Sequence, residues 1–438
     1  MNPFSHSSHP DSCNTLDHLS RRTLLRSAGL AGLSWLTPLS QHLAIGAEKT
    51  KSKPKSVIVL WLQGGASQLE SFDPHPGSDI AFGSKAINSA IKGVKFGEGL
   101  EQSAELANEF SILRSVVSKE GDHSRGIYNM KTGFRPFPGL IHPSIGAILC
   151  HELPVPVTGG APLDIPTHIS ILPANFPGRG GYLGAEYDAF QVGDPVNPVP
   201  DVKSWTDGDR DKKRFESLGV LEQSFATGRL ADLDQKRTLH QTAIDNARRM
   251  MSSEQLAAFD VKERPEAERE AYGDTPFGRG CLAALGLVEA GVRCVEVTLN
   301  GWDTHVNNAE GTSKQLAIFD PAFAALLRGL KERELYDDTI VLVGTEFGRT
   351  PKVNVTEGRD HWPHGFSVLL GGGGLRSGVV LGETDPSGEK EEPGDPIRVE
   401  DVHATVLNQL GVDYEYELTT PIGRPLPISE GRPVRAVI

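Results

Sequence analysis

The chain has 438 residues, of which 38% are hydrophobic, enough apolar side chain to bury one large α/β core or two smaller ones. Its formal net charge of −13 argues against nucleic acid as a partner, because a polyanion would be repelled by such a surface. The 48 glycines and 30 prolines predict many tight loops between short elements and exclude a coiled coil or a helical repeat.

Residues 1–47 read as an export signal. Ser20-Arg21-Arg22-Thr23 carries a twin-arginine pair, a weakly apolar stretch runs from Ser27 to Leu39, and Ala44-Ile45-Gly46-Ala47 offers small residues for a signal peptidase. The alternative is a short membrane anchor, but the apolar stretch falls short of the ~20 residues that span a bilayer. No later stretch is long and apolar enough, so the mature chain is expected in the periplasm or outside the cell with no membrane span. Cys150, Cys281 and Cys294 then remain, an odd number without CxxC spacing, which excludes a disulfide framework.

Lys49 to Lys55 is a basic linker. Ser56-Val57-Ile58-Val59-Leu60-Trp61-Leu62 is a near-continuous apolar run, the pattern of a strand buried on both faces of a parallel sheet. It ends in the turn Gln63-Gly64-Gly65-Ala66-Ser67, and ligands of open α/β sheets bind at that edge. The pattern recurs at Arg293 to Leu299, Thr339 to Val343 and Phe366 to Leu370. Helical periodicity marks Phe277 to Ala290 and Ala322 to Arg333. Alternating strands and helices predict an α/β three-layer sandwich: a mostly parallel sheet with helices on both faces. Residues 205–270 are charged, lack strand signals and are expected to form a helical insertion.

Polar clusters stand where the strands end. Asp303 and His305 lie two apart, so an extended chain directs both to one side. Glu346 follows Thr339 to Val343, and Asp360-His361-Trp362-Pro363-His364 precedes Phe366 to Leu370. Carboxylates and imidazoles at one sheet edge suit a divalent metal such as zinc or manganese, and carboxylates suit calcium. Asp303, His305, Glu346, His361 and His364 are therefore the expected metal ligands. Gly121-Asp122-His123-Ser124-Arg125 precedes a helical pattern. Ser124 or His123 at that helix N-terminus would meet free amides that stabilise an oxyanion, and Arg125 and Arg349 would grip a phosphate or sulfate in a fork. The alternative is that Asp122 or Ser124 simply caps the helix.

These motifs carry a resemblance. The segment Glu334 to Gly348, the pair Asp303 and His305, and His364 ahead of a buried strand are similar to the metal-binding segments of the alkaline phosphatase and sulfatase superfamily. Across nearly the whole mature chain, Phe72-Asp73-Pro74, Tyr182-Leu183-Gly184-Ala185, Gly301-Trp302-Asp303-Thr304-His305, Glu346-Phe347-Gly348-Arg349-Thr350-Pro351 and Gly358-Arg359-Asp360-His361 resemble an exported bacterial family known as domain of unknown function 1501. The resemblance implies an alkaline phosphatase-like fold and, with it, hydrolysis of a small anionic ester or of a sulfated or phosphorylated glycan. Three departures stand against it: Gln63 where the superfamily has a metal-binding Asp, Phe347 where a His ligand would follow the carboxylate, and no Cys-x-Pro-Ser-Arg nucleophile motif. His123, Asp122 and His361 are the residues that could complete the altered metal position. The departures favour a rival expectation, a non-catalytic module that binds an anionic glycan or a protein.

Overall fold

The computed structural model describes residues 56–438 except 159–160, 175, 201, 203–205, 227–246 and 391; residues 1–47, expected to be an export signal, lie outside them. The main sheet is built from β1 (Ser56–Gln63), β2 (Phe110–Val117), β3 (His168–Ile171), β4 (Phe190–Val192), β5 (Cys294–Asn300) and β6 (Thr339–Gly344). A hairpin of β7 (Gly348–Val353) and β8 (Arg359–Trp362) follows, and the sheet resumes with β9 (Phe366–Gly372), β10 (Val380–Leu381) and β11 (Ile397–Arg398). The order is β10-β2-β9-β6-β1-β5-β3-β4, with β11 also on β2.

β1 lies between β5 and β6, parallel to both, which is why its side chains are apolar on both faces. Val57, Val59 and Trp61 face one core with α1 (His123–Thr132), α2 (Ile145–Glu152) and, near the C-terminus, Val399–Gln409. Ile58, Leu60 and Leu62 face the other, with Pro276–Ala290 and Asn308–Glu332. The charged helix Gly208–Ala226 precedes these in the chain, making the four α3 (Gly208–Ala226), α4 (Pro276–Ala290), α5 (Asn308–Glu332) and α6 (Val399–Gln409). The expected three layers are present. Within 205–270 the described elements are all helical, and Ala258 and Arg264 pack against Gly286 of α4. Cys281 and Cys294 are buried in α4 and β5, and among the described residues Cys150, Cys281 and Cys294 are free.

One strand runs against the expected direction. β9 is antiparallel to β6 and to β2. The reason is the connection: only a hairpin separates Gly344 from Phe366, and a parallel neighbour needs a long crossover, usually a helix. The reversal places the start of β9 at the same edge as the end of β6. It also makes β2 run with β6, so β2 delivers its C-terminal residues there too. β2 escaped the sequence reading because Ser111, Arg114 and Ser115 interrupt its apolar run.

Candidate metal centre

After β2 the chain passes through Glu120-Gly121-Asp122 into α1, whose first residue is His123. Asp122 is the N-cap, accepting from the Arg125 backbone N–H at 3.2 Å. α1 lies tightly on the end of β6 because residue 126 is glycine: a Cβ there would stand 3.1 Å from the Glu346 carbonyl oxygen and from the Phe347 ring. Glu346 is fully buried. A buried carboxylate needs partners, and its Oε1 accepts from the Gly64 N–H at 2.9 Å and from His123 Nδ1 at 2.8 Å. Phe347 supports the rings of His123 and His361, with centroids 5.0 and 4.3 Å away.

The turn after β1 braces the loop after β5. Gly64 has φ +122, and a Cβ on it would fall 2.5 Å from the Asp303 backbone nitrogen. Asp303 Oδ1 accepts from Arg349 Nη2 at 2.6 Å. Arg349 is itself completely buried, and its remaining donors go to the carbonyls of Gly64, Gly65, Trp302 and Arg359.

The hairpin supplies the rest. His361 Nδ1 lies 2.8 Å from the Gly121 carbonyl, and His305 Nδ1 lies 2.9 Å from Asp360 Oδ1. A carbonyl oxygen only accepts, so His361 carries a proton on Nδ1, and the neutral ring has its lone pair on Nε2. His305 and His123 likewise donate from Nδ1 to carboxylates. All three Nε2 atoms then face Asp303: His123 at 3.4 Å from Oδ2, and His305 and His361 at 3.2 and 3.5 Å from Oδ1. The Nε2 atoms of His305 and His361 are only 3.0 Å apart. Two lone pairs so close repel unless a proton or a cation lies between them.

A metal ion fits this donor set. Ligand atoms on a tetrahedral ion with bonds of roughly 2.0–2.1 Å stand about 3.3 Å apart, and the observed spacings bracket that value. His123, Asp303 and His361 offer ligand atoms all within 4.8 Å of one another, with His305 adjoining on the Asp303 and His361 side. Each imidazole is oriented through its other nitrogen by a carbonyl or carboxylate, as metal-bound histidines are. Nitrogen-rich donors suit zinc and its neighbours better than calcium, which takes roughly 6–8 oxygens.

The electrostatics agree with this division of labour. The Glu346 hydrogen bond raises the His123 pKa against the opposing effect of burial. Burial lowers that of His361. Burial pushes Asp303 up, but the Arg349 hydrogen bond and charge, with His123 and His305, hold it below the ordinary value. The hydrogen bond from His305 lowers Asp360.

Of the residues expected on the metal, Asp303, His305 and His361 come together. Glu346 stands behind His123 instead of beside them. His364 packs edge-on against Trp362, with centroids 5.1 Å apart, outside the cluster, because Pro363 and the reversed β9 carry it past the hairpin. His123, expected at an oxyanion, joins the donors. Arg349 is engaged by Asp303 and backbone, and Arg125 forks onto Glu120 at 2.6 and 3.0 Å, so neither guanidinium is set to grip a substrate. Ser124 is exposed beside His123 in the first turn of α1. The anchoring roles of Asp360 and of the Gly121 carbonyl had no sequence signal beyond their place in the polar clusters.

Solved structures similar to this chain include a sulfatase, PsFucS1 from Pseudoalteromonas sp., with TM-score 0.40 and 12% identity over 84% of this chain and 70% of that one. A phosphonate monoester hydrolase from Silicibacter pomeroyi has TM-score 0.36 and 12% identity over 87% and 76%. A protein of the alkaline phosphatase superfamily from Vibrio parahaemolyticus has TM-score 0.35 and 13% identity over 82% and 67%. These are likenesses of fold at identities too low to transfer an activity. A search of curated proteins found no match. The family described as protein of unknown function (DUF1501) matches residues 54–438, and the chain belongs to that family.

Proposed function

We propose that this protein is a metal-dependent hydrolase of phosphate or sulfate esters that acts outside the cytoplasm after twin-arginine export. The observation that carries the reading is the convergence of three Nδ1-anchored imidazoles on Asp303. An ion of the zinc class bound there supplies Lewis acidity toward an ester oxygen. His123, Asp303, His305 and His361 hold it, while Glu346, Arg349, Asp360 and the Gly121 carbonyl fix their orientation. Ser124, exposed in the first turn of α1 next to His123 in sequence, is our candidate for the group that attacks the ester or orients a water, with first-turn amides for the developing charge. The substrate class is a small anionic ester or a sulfated or phosphorylated glycan.

The test is elemental analysis of the full chain after reconstitution with zinc or manganese, followed by turnover of 4-nitrophenyl phosphate and 4-nitrophenyl sulfate. A single bound ion and turnover of one ester are expected, both lost in Asp303→Ala/His361→Ala. A folded, metal-loaded protein that turns over neither ester would sink the enzymatic reading. It would leave a binding module for an anionic glycan or a protein, which the engagement of both Arg125 and Arg349 within the protein favours.

A further inference from the structure

A cavity of about 850 Å³ lies between the loop after β2, the C-terminal half of α1 and residues from Glu392 to Glu430; none of His123, Asp303, His305 and His361 lines it. Val117, Ser118 and Lys119 form one wall, and Asn129 and Gly133 another. Asn129 lies six residues along α1 from His123, about 9 Å at 1.5 Å per residue. Glu120 links the two places: it accepts from Arg125, two residues from His123, and at 2.6 Å from Arg135, which lines the cavity.

The lining mixes aliphatic side chains, among them Val117, Leu140, Ile422 and Leu426, with the rings of Phe134, Phe137 and His142. His142 stacks flat on Phe134, with centroids 4.3 Å apart, and Phe137 is 66% exposed at the mouth. The lining carries one more cation than carboxylate, four against three. Arg135, Arg398, Lys119 and Arg424 stand against Glu392, Glu400 and Glu430. Arg135 and Arg398 are held by carboxylates, but the side chains of Lys119 and Arg424 have no ion pair among the described residues. The exposed Phe137 ring, with the buried Phe134 and His142 behind the same lining, and Lys119 and Arg424, which have no ion pair among the described residues, are complementary to a flat apolar body that carries negative charge.

We propose that this cavity binds the non-reacting part of an anionic ester, an aromatic body with its own acidic group, while the ester end lies at the histidine cluster. The proposal rests on the hydrolase reading for that second half only. The probe is naphthalene-2-sulfonate, which has no ester to cleave, titrated calorimetrically into the full chain with chelator present and again with zinc added. Binding is expected in both conditions, undisplaced by inorganic sulfate. It should weaken roughly tenfold or more in Phe137→Asp and in Lys119→Glu/Arg424→Glu, all at exposed positions, with the folded circular dichroism spectrum retained. No binding to the unaltered chain, unchanged affinity in either variant, or displacement by inorganic sulfate would overturn it. Failure of the hydrolase reading shows separately, as absent metal or absent turnover, and leaves the chelated titrations intact.

Discussion

At the scale of single residues, the centre depends on groups that never touch an ion. Glu346 orients His123 through one ring nitrogen and leaves the other for coordination. Glu346→Gln keeps the shape and removes the charge, so zinc affinity should fall roughly 10–100-fold, measured by competition with a chromophoric chelator; unchanged affinity would strip Glu346 of that role. The raised pKa of His123 also fixes a pH dependence. In the metal-free chain, the protonated ring paired with Glu346 adds stability below the ordinary value of 6.5, and that stability is lost as pH rises through the raised value. A metal needs the unprotonated Nε2, so zinc uptake should fail as pH falls through the same window. The melting temperature should therefore decline with pH in chelator and climb with pH in zinc; parallel trends would contradict the assignment. Asp303, His305 and His361 were legible from residue type at strand ends. The place of Glu346 was not, because which nitrogen of a ring meets it depends on α1, 223 positions away.

Among the elements, the turn after β1 and the helix α1 join the layers. Gly64→Ala would force a side chain into a positive-φ position against the Asp303 backbone. A cost of about 1–3 kcal/mol is expected, read as a lower denaturation midpoint together with weaker zinc binding as Asp303 shifts. α1 is tied to β5 by Lys131, whose Nζ donates to Glu296 at 2.8 Å and lies 5.1 Å from the Trp61 ring centroid. Lys131→Met leaves the buried Glu296 carboxylate with no counter-ion and only the Ser170 hydroxyl, 3.0 Å away, and should cost about 3–5 kcal/mol, with much of the loss recovered in Lys131→Met/Glu296→Leu. Equal destabilisation of single and double variants in chemical denaturation would show that packing, not charge, is the cause. The strands in apolar runs were readable locally, whereas the direction of β9 was not, since a strand's orientation follows from what its connection can span.

For the whole molecule, the remaining prediction lies outside the described residues. Replacing Arg21 and Arg22 with Lys should hold the precursor in the cytoplasm, seen by fractionation and immunoblot; undiminished mature protein outside it would remove the twin-arginine proposal. Among the described residues, no helix is long and apolar enough to cross a membrane. The sequence by itself determined the α/β class and the edge at which chemistry gathers, because apolar runs and the glycine turns that end them are local properties of the chain. Only the tertiary structure decided the membership of the centre. It brought in His123, turned Arg349 inward to Asp303, set Arg125 on Glu120 and left His364 against Trp362. Those outcomes depend on β2 and the β7–β8 hairpin meeting at one edge, and on which side-chain donors are already satisfied there, and both are properties of contacts between segments far apart in the chain.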